Sequence, residues 1–264
     1  MAAKKAGSLR KSTHRKVQDV NRFVLALVCG GLRLYYSLCG VKVKAVNKVG
    51  KPESPSIILC NHGSFMDFIY AAALLDKFKP NFIVARLYFY NRYLGWLLRT
   101  VGAFPKSMFA TDLENAKNCL TVLREKNHLA MMPEARLSTV GRFEDIQDST
   151  CAFLKKAGVS IYTVKFGGDY LANPKWGSGF RRGAVVEAEL DLLYTAQQVQ
   201  GLSLAELRHG IEERLYYDEF TWLEQHPQVH YRCRRIAEGL ENILTTCPVC
   251  GKKYTLTTRK NKIF

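Results

Sequence analysis

Apolar residues along this chain follow two patterns, and each predicts a different element. Ser56 to Cys60 and Leu129 to Met132 are short continuous apolar runs with no polar side, as in strands buried on both faces. Phe82 to Ala85 reads as a further short strand, and residues 160–166 as another. From Gly183 to Leu190, Ala184, Val186 and Ala188 alternate with Val185 and Glu187, a period-2 strand signal. Helical spacing governs Phe65 to Leu75 and Thr111 to Lys126. The second of these carries a stripe of Leu113, Ala116, Leu120 and Leu123 behind a capping box, Thr111-Asp112-Leu113-Glu114. Gln197 to Glu224 is polar and helical in period, with Ser203 as N-cap for Leu204 to Tyr217. Strands alternating with helices predict an α/β domain whose mixed, mostly parallel sheet is flanked by helices.

The longest apolar segment, Phe23 to Val41, is interrupted only by Arg33, and no run reaches the roughly 18 apolar residues that a membrane-spanning helix needs. On a helical wheel Arg15, Arg22 and Arg33 share one side, while Val24, Leu27, Val28, Leu34, Tyr35 and Leu38 lie opposite. This predicts an amphipathic membrane-associating helical segment, divided at Gly30-Gly31; the alternative is a helix packed on the domain. A basic tail precedes it, with Lys4, Lys5, Arg10, Lys11, Arg15 and Lys16, and no Ala-x-Ala-type site closes the apolar run as a cleavable signal would require. Residues 82 to 104 mix cations and rings: Arg86, Tyr88, Tyr90, Arg92, Tyr93, Trp96 and Arg99. The expected organisation is a tail and helical segment over 1–45, a catalytic domain over 46–190, and a helical extension over 191–264.

Charge narrows the partners. Lys plus Arg outnumber Asp plus Glu by 39 to 23, a net +16, which points to nucleic acid, an anionic membrane surface or phosphate-bearing substrates. No helix-turn-helix, RNP-type or paired zinc-finger motif is present, so the anionic membrane surface, on the cytoplasmic face, is the expected polyanion. Cys29, Cys39, Cys60, Cys119 and Cys151 show no disulfide framework, which is reduced, intracellular usage.

Asn61-His62-Gly63-Ser64-Phe65-Met66-Asp67 follows directly on the first apolar run. Neutral imidazole accepts a proton near pH 7, and a carboxylate on its other nitrogen fixes the tautomer and stabilises the imidazolium. A base pair without a nucleophile of its own suits a reaction in which the substrate's hydroxyl attacks. The same residues also fit a capping box, with Ser64 as N-cap and Asp67 reaching back. A second motif, Pro133-Glu134-Ala135-Arg136, leaves the strand at 129–132, where ligands of open α/β sheets bind.

His-x4-Asp at one strand end and Pro-Glu-Ala-Arg at a later one resemble the glycerolipid acyltransferase family, whose best-known members are 1-acylglycerol-3-phosphate acyltransferases. The resemblance covers roughly residues 20 to 190 in four blocks. It implies that His62 is the general base and Asp67 its orienting partner. It also implies that Asn61, Lys106 (in Gly102-Ala103-Phe104-Pro105-Lys106) and Pro133, Glu134, Ala135 and Arg136 serve the acceptor. The fourth block is matched by Val159 to Gly168, Leu171 and Asn173-Pro174-Lys175-Trp176. Ala135 stands where the family has glycine, and Ile161-Tyr162-Thr163 lacks the family's proline. The implied activity is transfer of a fatty acyl group from acyl-CoA or acyl-carrier protein to a lysophosphatidic acid-type acceptor in phospholipid biosynthesis, with no cofactor for catalysis.

At the C-terminus Cys247-Pro248-Val249-Cys250-Gly251 has the form of a zinc-ribbon knuckle. His230-x2-Cys233 has ligand spacing and completes a candidate Cys3His structural zinc site; a ribbon lacking its other half is the alternative. Other functions left open are an acyltransferase for another lysophospholipid or a non-glycerolipid acceptor, and a non-catalytic basic zinc-binding protein of membranes or nucleic acid. A hydrolase is disfavoured by the lack of a Gly-x-Ser-x-Gly elbow.

Overall fold

The computed structural model describes residues 17, 19–108, 112–177 and 181–264. Thr111 and the basic residues Lys4, Lys5, Arg10, Lys11, Arg15 and Lys16 lie outside them. Seven strands form one sheet: β1 (Lys42–Asn47), β2 (Ser56–Cys60), β3 (Asn81–Ala85), β4 (Phe104–Lys106), β5 (His128–Met131), β6 (Ser160–Gly167) and β7 (Val185–Tyr194). Their spatial order is β1-β7-β6-β2-β5-β3-β4. Every pairing is parallel except that of β6 with β7, so β7 and β1 run against the other five. This is the mixed, mostly parallel sheet that the alternation predicts.

β2 shows why its sequence is apolar throughout, because all five of its residues are buried. Ile58 and Cys60 face one core together with Tyr36 of α1 (Arg22–Leu38) and Tyr70, Ala71 and Leu75 of α2 (Asp67–Leu75). Ile57 and Leu59 face the other, against Cys119, Val122 and Leu123 of α4 (Leu113–Arg124) and Leu154 of α5 (Asp148–Ala157). Between α2 and α4 in the chain lies α3 (Arg92–Thr100), preceded by a 3-10 turn at Arg86–Tyr90. β6 pairs with β2 in register from Ser56↔Ser160 to Cys60↔Val164, although it lacks the proline expected of the family. A central strand has no room for that residue's missing N–H without losing a ladder bond.

Three expectations about boundaries change. α1 is continuous through Gly30-Gly31, starting at Asn21, whose side chain accepts from the amides of Phe23 and Val24. Its Leu25, Cys29 and Tyr36 pack on the domain while Phe23, Leu27, Leu34 and Leu38 face outward, so it has both a packing face and an unpartnered apolar face. The helix expected from Phe65 begins at Asp67. β7 runs past residue 190 to Tyr194, and the segment after it is part of the second core. Val199 of α7 (Ala196–Gly201) and Leu207, Ile211 and Leu215 of α8 (Leu204–Leu215) are completely buried there. Ser203 caps α8 in a full capping box with Glu206, as expected. A short helix α6 (Asp169–Ala172) follows β6, and a last helix, α9 (Glu219–Gln225), and a small hairpin of β8 (Thr258–Arg259) and β9 (Lys262–Ile263) complete the described elements.

Candidate active site

Three parallel strands, β2, β5 and β6, deliver their C-terminal ends to one edge, and the motif residues sit on the loops that leave them. Asn61 closes the first step. Its side chain donates to the Phe166 carbonyl (3.1 Å) and accepts from the Phe166 amide (2.7 Å), tying the exit of β2 to β6. Fully buried and doubly bonded, Asn61 holds backbone instead of facing an acceptor, which corrects its expected role.

His62 is fixed on three sides. Its amide donates to Glu134 Oε1 (2.7 Å), its carbonyl accepts from the Ser138 amide (3.0 Å), and its Nδ1 lies 3.0 Å from Asp67 Oδ2. With Nδ1 facing the carboxylate, Nε2 is the nitrogen left for a substrate proton, and the side chain keeps 22% of its surface exposed. Burial pulls the imidazole down to about 4, with Glu134 opposing and Lys175 assisting, so His62 is neutral at pH 7 and able to act as a base. Asp67 is fully buried, and burial pushes its carboxyl well up. The same Asp67 Oδ2 accepts from the Ser64 amide (2.8 Å), and Ser64 Oγ accepts from Met66 (3.2 Å). The orienting pair and the cap-like loop are therefore both present, sharing one oxygen.

The second motif divides its labour differently from what the resemblance implies. Pro133 and Glu134 are buried. Both Glu134 oxygens are taken by amides, those of His62 and Glu144 (2.9 Å), so this carboxyl braces two loops. Burial raises it to about 7 against those two bonds. Ala135 has φ +57°, the left-handed region in which the family's glycine would be at ease. Arg136 is exposed and paired with Glu144. Lys106, at the end of β4, joins Glu134, Ala135 and Arg136 in the wall of a cleft of about 880 Å³ whose apolar side includes Ile83, Met131 and Phe153. The fourth block closes the site from β6, where Ser64 Oγ donates to the Asn173 carbonyl (3.0 Å) and Lys175 bears on His62.

Two carboxyls that sequence reasoning did not select lie behind Asp67: Asp169 and Glu219, each completely buried. One local signal was available for the first. Gly63 leaves no room for a side chain, since a Cβ there would stand 2.5 Å from Asp169 Oδ2.

The candidate zinc site is not assembled. No group of three or more His, Cys, Asp or Glu among the described residues is arranged to hold a metal ion. The Arg182–Arg232 bridge holds the segment carrying His230 and Cys233 beside the start of β7. Cys247 and Cys250 stay together on their own turn, where the Thr246–Lys253 bridge closes it. Amides of Cys250 and Val249 pull the Cys247 thiol down, but two thiols are half of a tetrahedral set.

Comparison with known proteins agrees with the motif blocks. A protein-family model described as Acyltransferase matches residues 41–167. The chloroplastic 1-acyl-sn-glycerol-3-phosphate acyltransferase LPAT1 of Arabidopsis thaliana is 21% identical over 131 residues, which is 49% of this chain and 36% of that protein. This chain thus spans about a third of the curated relative it matches. The crystal structure of the 1-acyl-sn-glycerophosphate acyltransferase PlsC from Thermotoga maritima superposes with a TM-score of 0.62 at 20% identity, covering 77% of this chain and 80% of that one, and shares the fold. Residues 41–167 thus carry an acyltransferase domain, and both likenesses support an enzyme of the glycerolipid acyltransferase type.

Proposed function

We propose that this protein transfers a fatty acyl group from acyl-CoA or acyl-carrier protein to the free hydroxyl of a lysophosphatidic acid-type acceptor. The observation that carries this is the neutral, partly exposed His62 held by buried Asp67 at the sheet edge. His62 Nε2 takes the proton as the acceptor oxygen attacks the thioester carbonyl carbon. The C–S bond then breaks, and the departing thiolate recovers that proton from the imidazolium, which Asp67 stabilises. Lys106 and Arg136 bind the acceptor phosphate from the cleft wall, Arg136 by exchanging Glu144 for the ligand.

The site works at a membrane surface. Phe23, Leu27, Leu34 and Leu38 of α1 are exposed, as are Leu87, Tyr90, Tyr93 and Trp96, and the Asn21 amide donates to Thr100 to join the start of α1 to the end of α3. Aromatic rings with arginines suit the headgroup boundary, and the net +16 suits the anionic cytoplasmic leaflet. No helix among the described residues is long and apolar enough to cross a membrane, which fits a protein lying on one.

The deciding assay supplies anionic vesicles, lysophosphatidic acid and a long-chain acyl-CoA, and follows free thiol. Release that needs both the acceptor and His62 supports the proposal. Acceptor-independent release, or undiminished release from His62→Ala, overturns it.

A further inference from the structure

Asp67, Asp169 and Glu219 are three carboxyls buried in mutual contact, and ordinary donors do not satisfy them. Asp67 Oδ1 and both oxygens of Asp169 have no donor partner, while Glu219 accepts from the amides of Gly168 (2.8 Å) and Leu171 (3.3 Å). Carboxylates accept and cannot donate, so contacts between carboxyls are attractive only if protons lie between them. Among the described residues, Arg181 bears on Tyr170 and Tyr231 and Lys175 on His62, and no cation is paired with the three carboxyls. Tyr70, Tyr170, Tyr217 and Tyr231 and the Cys60 thiol border the group from β2, α2, the helix at Asp169–Ala172 and the loops, each raised by burial and neutral at pH 7, and Glu134 lies across His62. Nor is the group arranged as a metal site.

We propose that Glu219 donates a proton to Asp169, Asp169 donates one to Asp67 Oδ1, and the negative charge so confined to Asp67 orients and supports His62. Asp169 and Glu219 are thus positioning residues for the dyad. Local geometry sets the direction. Asp67 and Glu219 each have two outside donors, but only Asp67 faces the imidazole that becomes cationic in the reaction, so the charge is best placed there. Asp169, in the middle, has no donor on either oxygen, so it is the natural proton carrier. On Glu219, Oε2 accepts the longer of the two amide bonds, as a hydroxyl oxygen would. Burial raises all three groups, so protons are retained within the cluster. The absent side chain at Gly63 and the left-handed turn at Gly168 (φ +79°) let Asp169 reach Asp67.

This inference rests on the acyl-transfer proposal for its kinetics but not for its spectroscopy. Steady-state kinetics and the low-field Nδ1–H proton resonance of His62 are measured for the wild type, Asp169→Asn and Asp169→Ala. Asn keeps a donor to Asp67 and cannot ionise; Ala removes the donor. Ala lowers kcat by about tenfold or more, with KM within about twofold, because an undonated buried Asp67 takes up a proton and no longer supports the imidazolium. Asn restores kcat to within about threefold, and the low-field resonance is present in the wild type and Asn but lost in Ala. Equal loss of kcat in Asn and Ala, or a resonance unchanged in Ala, overturns the chain. If the wild type transfers no acyl group, the acyl-transfer proposal fails while the resonance still judges the chain. Should Ala not fold, the thermal midpoint of Asp169→Asn against pH decides. Raised carboxyls lose stability as pH climbs above about 4, so the wild type falls more steeply than Asn over that range, and parallel curves overturn the proposal.

Discussion

The loops leaving β2 and β5 start from neighbouring parallel strands, both carry motif residues, and they are built in opposite ways. The His62 loop is knit at nearly every polar atom: Asn61 to Phe166, His62 to Glu134 and Ser138, Ser64 to Asn173, and Asp67 to His62 and Ser64. The Pro133–Arg136 loop bears a left-handed alanine and an exposed arginine paired with Glu144. The difference follows from what each must do. A general base loses efficiency with small misplacement, so its loop is over-determined. A phosphate-binding arm must exchange partners, so its charge is left near solvent, where an ion pair contributes little. Glu134 belongs to the second loop by sequence and to the first by function.

The most severe way to break this contrast is at the base itself. His62→Ala should lower kcat by at least about a thousandfold while the thermal midpoint stays near that of the wild type, because the imidazole is held by its surroundings without supporting them. Comparing kcat with the unfolding curve checks both halves. Glu134→Gln comes next, since it puts an NH2 against one of two amides that now meet oxygen. An unsatisfied buried amide costs about 1–3 kcal/mol, and kcat should fall with it because the His62 loop loosens. The sign of the pH dependence sharpens the test. Burial raises Glu134 from 4.5 to about 7, so its contribution is complete below the lower value and declines as pH rises through the upper. The stability gap between wild type and Gln therefore narrows from pH 4.5 to 7, as urea unfolding at several pH values would show.

Arg136→Ala tests the mobile side of the comparison. It should raise the acceptor KM by roughly tenfold with kcat within about twofold, and Arg136→Lys should recover only part of the affinity, because an ammonium cannot form the paired contact. A fall in kcat equal to the rise in KM would mean that Arg136 is part of the rigid loop after all.

The legible parts of this molecule are those whose signal is local. β2 and β5 are buried throughout and read as apolar runs, and β6 is largely buried, whereas β1 is an edge strand with all six residues exposed, and β4 is three residues including Pro105. His62 and Asp67 sit five apart on one loop, so their pairing shows in the spacing. Asp169 and Glu219 reach the same place from more than 100 residues away, and in sequence a buried neutral carboxyl looks like any surface acid. Glu134 was legible from its motif, but its bracing of two loops was not, since its two amide partners, His62 and Glu144, come from loops that only the sheet brings together. The cysteine knuckle shows the reverse: its spacing is local and legible, while its expected partners His230 and Cys233 lie on a segment bridged through Arg232 to Arg182, which spacing alone does not reveal.

Ala135→Gly is the mildest change and isolates the strain in the second loop. An L-residue in the left-handed region costs about 1–2 kcal/mol, and glycine returns roughly 0.5–1 of that through its freer unfolded chain. The net expectation is a gain of up to about 1 kcal/mol, or a rise of roughly 2–4 °C in the thermal midpoint for a chain of this size. Activity supplies the second reading of the same variant. If the methyl holds Arg136 at the cleft, glycine should raise the acceptor KM even as it stabilises the fold, by at most about threefold, since the Glu144 pair still restrains the side chain. A more stable enzyme with unchanged KM would instead place the strain outside the binding function, and the two loops would then differ in rigidity alone.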